Sequence, residues 1–566
     1  MMNHETRTRQ RALIGFLALL LGFAAIAWRL DRAPDIFTDE ILYTRAGIRV
    51  AAEGALVWDN GEPLFVHPPL YFLVEGAYLA LTRDPMGAVY APGDIFAWVY
   101  HARYLNALIA GLTALLLYLL GRRLRGPWLG WLLVALFVLD PFGVRINRRA
   151  MLETMAAFLG LAGMALLLTA REPVRPGRAI VAGLLLGAAL LTKELTFTTP
   201  LAVLLFGLLE GRRRPLTRAA RWMPFLTVLV AGLSYLIFPL WALTTGRWDR
   251  FVHVKSLSLQ RLIGLIHLSG WNRPEVSLWN FLLRRLTDYG SSYLLLALGG
   301  AATLWLLLFH RRERAGRLLG LWGLVLYPFY AFVTLVGSGN DQFFYFLLVP
   351  AILLVGYTAT LPTPSAAFLP RLVNRWHRLA LGILLLFILP YNAVRWVTTY
   401  GFGLDNGYRQ LAAYVAEHLP ADAPLNASGD AIKYWYFFPD RPIADAATPE
   451  EAQALGLHYF ALAPKDVQGR YGRMTPALAA WIQAQGTRLF AVEGDSYGLI
   501  TLYRVDYPGE DGPEPPSVSL PRFQRFQPAQ AGFVDTLLVA LGVWWAITIG
   551  LSLLPSPGLE ASYDPA

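Results

Sequence analysis

Four short stretches hold residues able to act as bases or to pair with an anion. "FTDEILYTRAG" (37–47) sets two carboxylates, Asp39 and Glu40, side by side just after the first apolar stretch. "NGEPLFVHPPLYFL" holds His67 against the sharp turn fixed by Pro68-Pro69. "DPFGVRINRRAMLETMAAFL" carries Arg148 and Glu153, and "LLTKELTFTTP" carries Lys193-Glu194. Each also has a plain structural reading. Thr38 or Asp39 can cap a helix, where first-turn carboxylates gain roughly 0.3–1 kcal/mol from the helix dipole. A lone histidine is usually a hydrogen-bonded structural residue. Lys193 can favour a helix C-terminus, and Arg148 can anchor at the interface. Position alone therefore decides nothing; co-occurrence on one face does more.

The elements that must hold these residues are apolar spans. The chain has 566 residues, 55% apolar and 16% charged, with a mean hydropathy of +0.43. A soluble protein carries about a quarter charged residues, so this is a membrane protein. Spans of about 20 apolar residues fall near 12–29, 98–120, 127–144, 151–169, 179–192, 197–210, 222–243, 289–309, 318–336, 342–360, 379–397 and 533–554. The expected fold class is thus an α-helical polytopic membrane protein of about twelve helices. Arginine collects in alternate loops, beginning with Arg7, Arg9 and Arg11, and these loops should be cytoplasmic. The basic excess, with lysine only at 193, 255, 433 and 465, is a topology signal rather than a mark of nucleic acid. Outer loops at 30–97, 244–288 and 398–532 follow, and all four stretches face outward. Absence of cysteine removes disulfides, thiolate metal sites and a cysteine nucleophile.

Three domains are expected: a transmembrane part at 1–397, an extracytoplasmic part at 398–532 ending in a Pro-rich linker, and a last span with a cytoplasmic tail at 533–566. In the second, helical spacing in "YRQLAAYVAEHL", "TPEEAQALGL" and "PALAAWIQAQG" alternates with strand-like "APLNASG", "HYFALAP", "TRLFAVE" and "YGLITLYRV". That alternation predicts a small α/β domain. "ILYTRAGIRVAAEG" places Arg45, Arg49 and Glu53 every fourth residue, which predicts a helix lying along the membrane surface.

"DE" after the first span, then "HPPLYF", "RYLNALIAGLTALLLYLLGRRL", an acid within "NRRAMLETMAAF", and "ALLTKE" occur in that order. The ordered set resembles the polyprenyl-phosphate-dependent glycosyltransferases of the C-type fold. More narrowly, it is similar to the protein O-mannosyltransferase and lipid A aminoarabinose transferase group. The resemblance covers residues 30–210. It implies Asp39 as catalytic base with Glu40 beside it, and Glu153 as the second acid. It also implies Lys193, His67, Arg148 and Arg103 at the donor phosphate. A lipid phosphate is already a good leaving group and needs cations rather than a general acid. The acceptor hydroxyl needs a base, and one base opposite one departing phosphate gives inversion. The implied partners are a polyprenyl-phosphate-linked sugar, a protein, lipid or glycan acceptor, and membrane lipid. The resemblance fixes no cofactor; Asp39, Glu40 and Glu153 offer oxygen ligands for a divalent metal. The implied location is the cell membrane, with the active site outside. Two other readings compete. A secondary transporter would place polar residues mid-span and show repeated halves. A non-catalytic sensor or scaffold leaves the outer acids and cations without a purpose.

Overall fold

The computed structural model describes residues 4–90, 94–170, 174–213, 218–267, 271–272, 276–361, 371–469 and 471–507. The Pro-rich linker and the span expected at 533–554 lie outside them. Among the described residues, five helical stretches are long and apolar enough to cross a membrane: Ile95–Arg125, Trp222–Thr244, Leu286–Phe309, Arg314–Leu335 and Asp341–Ala359. Other expected spans are helices just short of that length. Leu152–Leu168 and Pro176–Thr192 have 17 residues each, or roughly 25 Å at 1.5 Å per residue, against a hydrocarbon core of about 30 Å.

One expected span departs from a straight helix. The stretch near 127–144 is split into Pro127–Leu139 and Pro141–Asn147, bent by 70°, and counting the pair as one span makes six. The cause is local. Pro141 cannot continue the ladder of the preceding turn, and the Asp140 carboxylate caps the new helix by accepting from Gly143 N–H at 2.7 Å. The bend brings Arg145 to Asp341 and Arg148 to the Ala33 carbonyl.

Outside the spans, the helix Thr38–Glu53 (α1) packs against Leu70–Thr82 (α2). The two touch so closely that a Cβ on Gly76 would sit 2.6 Å from Val50 Cγ1. Contrary to expectation, α1 does not lie open on the membrane surface. Arg45 and Arg49 are buried. The Arg45 guanidinium donates to both Asp59 oxygens at 2.8 and 3.1 Å and to the Ala88 carbonyl at 2.5 Å. A four-residue polar repeat looks the same whether its partners are water or a folded loop. A third helix, Trp248–Leu262 (α3), is amphipathic and carries Lys255 and Arg261.

The small domain is a five-stranded sheet of order β2-β1-β3-β5-β4. Its strands are Leu425–Ala427 (β1), Ile443–Ala444 (β2), Tyr459–Leu462 (β3), Thr487–Gly494 (β4) and Gly498–Arg504 (β5). β1 pairs in parallel with β2 and β3, and β5 runs antiparallel to β3 and β4. Two elements were not expected, the two-residue β2 and the helix Ala431–Phe437 (α4). One face of the sheet has its own core, with Phe460 and Leu462 packed with Leu478 and Ile482; the other face is shared. Ile36, Ile41, Ile48, Ile95 and Phe96 share one buried cluster with Tyr408, Leu411, Phe437 and Ile500, and Phe96 stacks on Phe437 at 4.7 Å.

Candidate active site

The first turn of α1 sorts its two acids. Its N-cap is Phe37, not Thr38 or Asp39 as the sequence suggests. Glu40 reaches back to accept from Phe37 N–H at 3.0 Å. The same carboxylate accepts from Arg103 Nε at 2.8 Å and Nη2 at 2.9 Å, and from Ala150 N–H at 2.9 Å. It is fully buried. Both Glu40 oxygens are therefore occupied by the scaffold.

Arg103 and Arg148 are tied in the same way. Arg103 gives its remaining Nη1 donors to the Leu30 and Pro34 carbonyls at 2.9 and 2.8 Å. Arg148 donates to the carbonyls of Ala33, Ile26, Trp28 and Arg29 at 2.7 to 3.1 Å, with Tyr400 beneath its guanidinium. A non-helical segment after a membrane helix leaves carbonyls without partners, and these two arginines supply the donors.

One residue earlier on α1 is about 100° around the helix, so Asp39 faces elsewhere. It is half-buried. Among the described residues none donates a hydrogen bond to its carboxylate. Burial pushes its pKa up to about 6, while Lys193 and Arg261 pull it down and Glu153 and Asp430 push it up. These causes name its neighbours. Lys193 sits at the break between the helix Pro176–Thr192 and a short 3-10 turn at Glu194–Phe197. Its ammonium is held by Glu153, in the first turn of Leu152–Leu168, and lies over the Phe343 ring at 5.6 Å. The second Glu153 oxygen is buried without a partner.

His67 completes this group. Its Nε2 meets Tyr43 Oη at 2.8 Å, and burial together with Lys193, Lys255 and Arg261 pushes its pKa well below the ordinary range. His67 is therefore neutral and brings a hydrogen-bonding ring rather than a charge. Of the seven residues singled out from the sequence, the fold gathers Asp39, Glu153, Lys193 and His67. It places Glu40, Arg103 and Arg148 in the scaffold beside them.

Three contributors were missed. Arg261 on α3 acts on Asp39, with its Nε donating to the Ser338 carbonyl at 3.0 Å. Asp430 comes from the small domain, at the N-cap of α4. Arg149, beside Arg148, lies over Phe37 at 5.0 Å. The basic, amphipathic spacing of α3 was the available signal for Arg261. Nothing local marks Asp430.

Beside Asp39 a cavity of about 340 Å³ opens between the membrane helices and the small domain, with Phe37 and Thr38 on its wall. Its far side reaches a buried network in which Lys433 Nζ donates to Asp466 at 2.8 Å and to Tyr408 Oη at 2.7 Å. The tested metal set does not fit. Among the described residues no three His, Asp or Glu side chains converge; Arg103 occupies Glu40 and Lys193 occupies one Glu153 oxygen. The arrangement can take a proton at Asp39 and stabilise an anion beside Lys193 and Arg261.

Comparison with known proteins bears on this geometry. Residues 16–258 match the family described as dolichyl-phosphate-mannose-protein mannosyltransferase. That segment spans Asp39, His67, Glu153 and Lys193. ArnT from Cupriavidus metallidurans, solved with undecaprenyl phosphate bound, superposes with a TM-score of 0.51 at 16% identity, over 88% of this chain and 98% of that one. The archaeal oligosaccharyltransferase AglB from Archaeoglobus fulgidus, solved with an inhibitory peptide and a dolichol-phosphate, gives 0.49 at 11% identity, over 88% and 74%. At 16% identity the likeness to ArnT is one of fold. No curated protein matches. The segment that builds the site is therefore the one that is similar to the dolichyl-phosphate-mannose-protein mannosyltransferases.

Proposed function

We propose that the enzyme moves a sugar from a polyprenyl phosphate to an acceptor hydroxyl at the outer face of the cytoplasmic membrane, inverting the anomeric carbon. In this reading Asp39 takes the acceptor proton as the new C–O bond forms. The bond from the anomeric carbon to the phosphate oxygen breaks, and the lipid phosphate leaves with the electron pair. Lys193 and Arg261 face the charge that develops on it. Glu153 positions Lys193, and the neutral His67 adds an N–H donor through Nδ1 while Nε2 accepts from Tyr43. Glu40, Arg103 and Arg148 belong to the scaffold.

The carrying observation is Asp39 itself: a half-buried carboxylate with no donor on it among the described residues, beside two cations. A base is most effective when its pKa lies near the working pH, and burial brings Asp39 there. In this reading the chain has twelve spans with 30–97 and 398–532 outside, and the donor's tail stays in the bilayer. The test is single-turnover transfer of a labelled sugar from polyprenyl phosphate by purified wild type and Asp39→Asn. Near wild-type turnover in Asp39→Asn, with donor and acceptor saturating, overturns the base assignment.

A further inference from the structure

The cavity beside Asp39 is strongly cationic. Arg145, Arg149, Arg284, Arg285, Lys433 and Lys465 line it, against the acids Asp430 and Asp466 among the described residues. Two of the six are paired at the wall, Lys433 with Asp466 and Arg145 with Asp341 at 2.6 Å. The other four are not neutralised by close pairing. Arg284 donates to Gln468 at 2.9 Å, Lys465 to the Asp495 carbonyl at 2.5 Å, and Arg285 is 4.0 Å from Asp288. Arg149 is only 3% exposed, and its Nε has no hydrogen-bond partner. The acid nearest that nitrogen, Glu40 at 3.8 Å, already holds Arg103.

A buried guanidinium donor left unmade is costly, and guanidinium groups match a phosphate in geometry as well as charge. The rings of Phe37, Phe281, Tyr471 and Tyr497 share the same wall and offer flat apolar faces to a sugar. We propose that this cavity holds the acceptor, and that the acceptor is a phosphorylated sugar headgroup whose phosphate lies among Arg149, Arg284, Arg285 and Lys465. The inference rests on Asp39 as base, since it places the headgroup hydroxyl against the Phe37–Thr38 wall next to it. The donor phosphate is a separate anion. Lys193 and His67 do not line this cavity, and the two cations acting most on Asp39 are Lys193 and Arg261.

The test measures binding of glucose 6-phosphate, glucose, inorganic phosphate and undecaprenyl phosphate to the purified full chain by titration calorimetry. The variants are Arg284→Gln with Lys465→Gln, both at accessible positions, and Asp39→Asn. Glucose 6-phosphate should bind more tightly than glucose or inorganic phosphate. The double variant should weaken it by about tenfold or more, a change of about 1.4 kcal/mol, and leave undecaprenyl phosphate binding unchanged. Asp39→Asn should keep glucose 6-phosphate binding while losing transfer, so failure of the base and failure of the cavity are read separately. Equal binding of glucose and glucose 6-phosphate overturns the proposal, as does inorganic phosphate matching glucose 6-phosphate. So does an unchanged double variant, or one that loses undecaprenyl phosphate instead, which would make the cavity the donor's.

Discussion

Asp39 and Glu40 are adjacent in sequence and opposite in circumstance. Both Glu40 oxygens, the Arg103 fork and the whole Arg148 guanidinium are bonded to scaffold groups. Around Asp39 there is capacity left over. Its own carboxylate accepts nothing from the described residues, and one Glu153 oxygen is buried without a partner. Buried charge is therefore a poor guide to chemistry in this protein. The distinguishing feature is whether hydrogen-bonding capacity remains once the fold is complete.

The sharpest way to break that contrast is to neutralise each acid without changing its shape. Asp39→Asn should lower the transfer rate by about 10²–10⁴, the usual worth of a general base, and leave thermal unfolding in detergent unchanged. Glu40→Gln should do the reverse. Removing one partner of a buried pair costs about 3–5 kcal/mol, so the variant should unfold at lower temperature and recover turnover per folded molecule. A double change, Glu40→Met with Arg103→Met, should be less destabilising than either single change. If Glu40→Gln folds normally and is inactive, the division drawn here is wrong.

Next in size is Lys193→Ala. It should weaken polyprenyl phosphate binding by about tenfold, in line with about 1.5–3 kcal/mol for a hydrogen bond to a charged group, with acceptor KM little changed. Equal effects on donor and acceptor would remove Lys193 from the phosphate. The smallest effect concerns pH. Asp39 must be ionised to act, so kcat/KM should fall tenfold per unit below about pH 6. Arg261 lowers the Asp39 pKa, so Arg261→Gln should move this acid limb to higher pH. A limb that stays in place would mean that Arg261 acts elsewhere.

Much of this was legible because it depends on local order. Apolar length announced the spans, alternation announced β1, β3, β4 and β5, and the run of motifs placed Asp39, His67, Glu153 and Lys193 in sequence. The illegible part is long-range. Glu40 and Arg103 are 63 residues apart, and no pattern says that they form a fork while Asp39 stays open. Arg148 reads as an interfacial anchor until the carbonyls around it are seen. The polar repeat of α1 implied water because periodicity records which side chains share a face, not what covers it. β2, two residues long, is too short to carry a pattern.

The shared core of the small domain also sets an order of assembly. Ile36, Ile41 and Phe96 find their partners in Tyr408, Leu411, Phe437 and Ile500, between 312 and 464 residues later in the chain. At roughly 5–20 residues per second, ribosomes would need roughly 15 to 90 s to deliver the second half after the first has emerged. During that interval the early loop is an unfinished surface, with apolar side chains waiting outside the bilayer. A nascent chain stalled or truncated before residue 400 would therefore be an insertion intermediate for quality control, not a smaller enzyme.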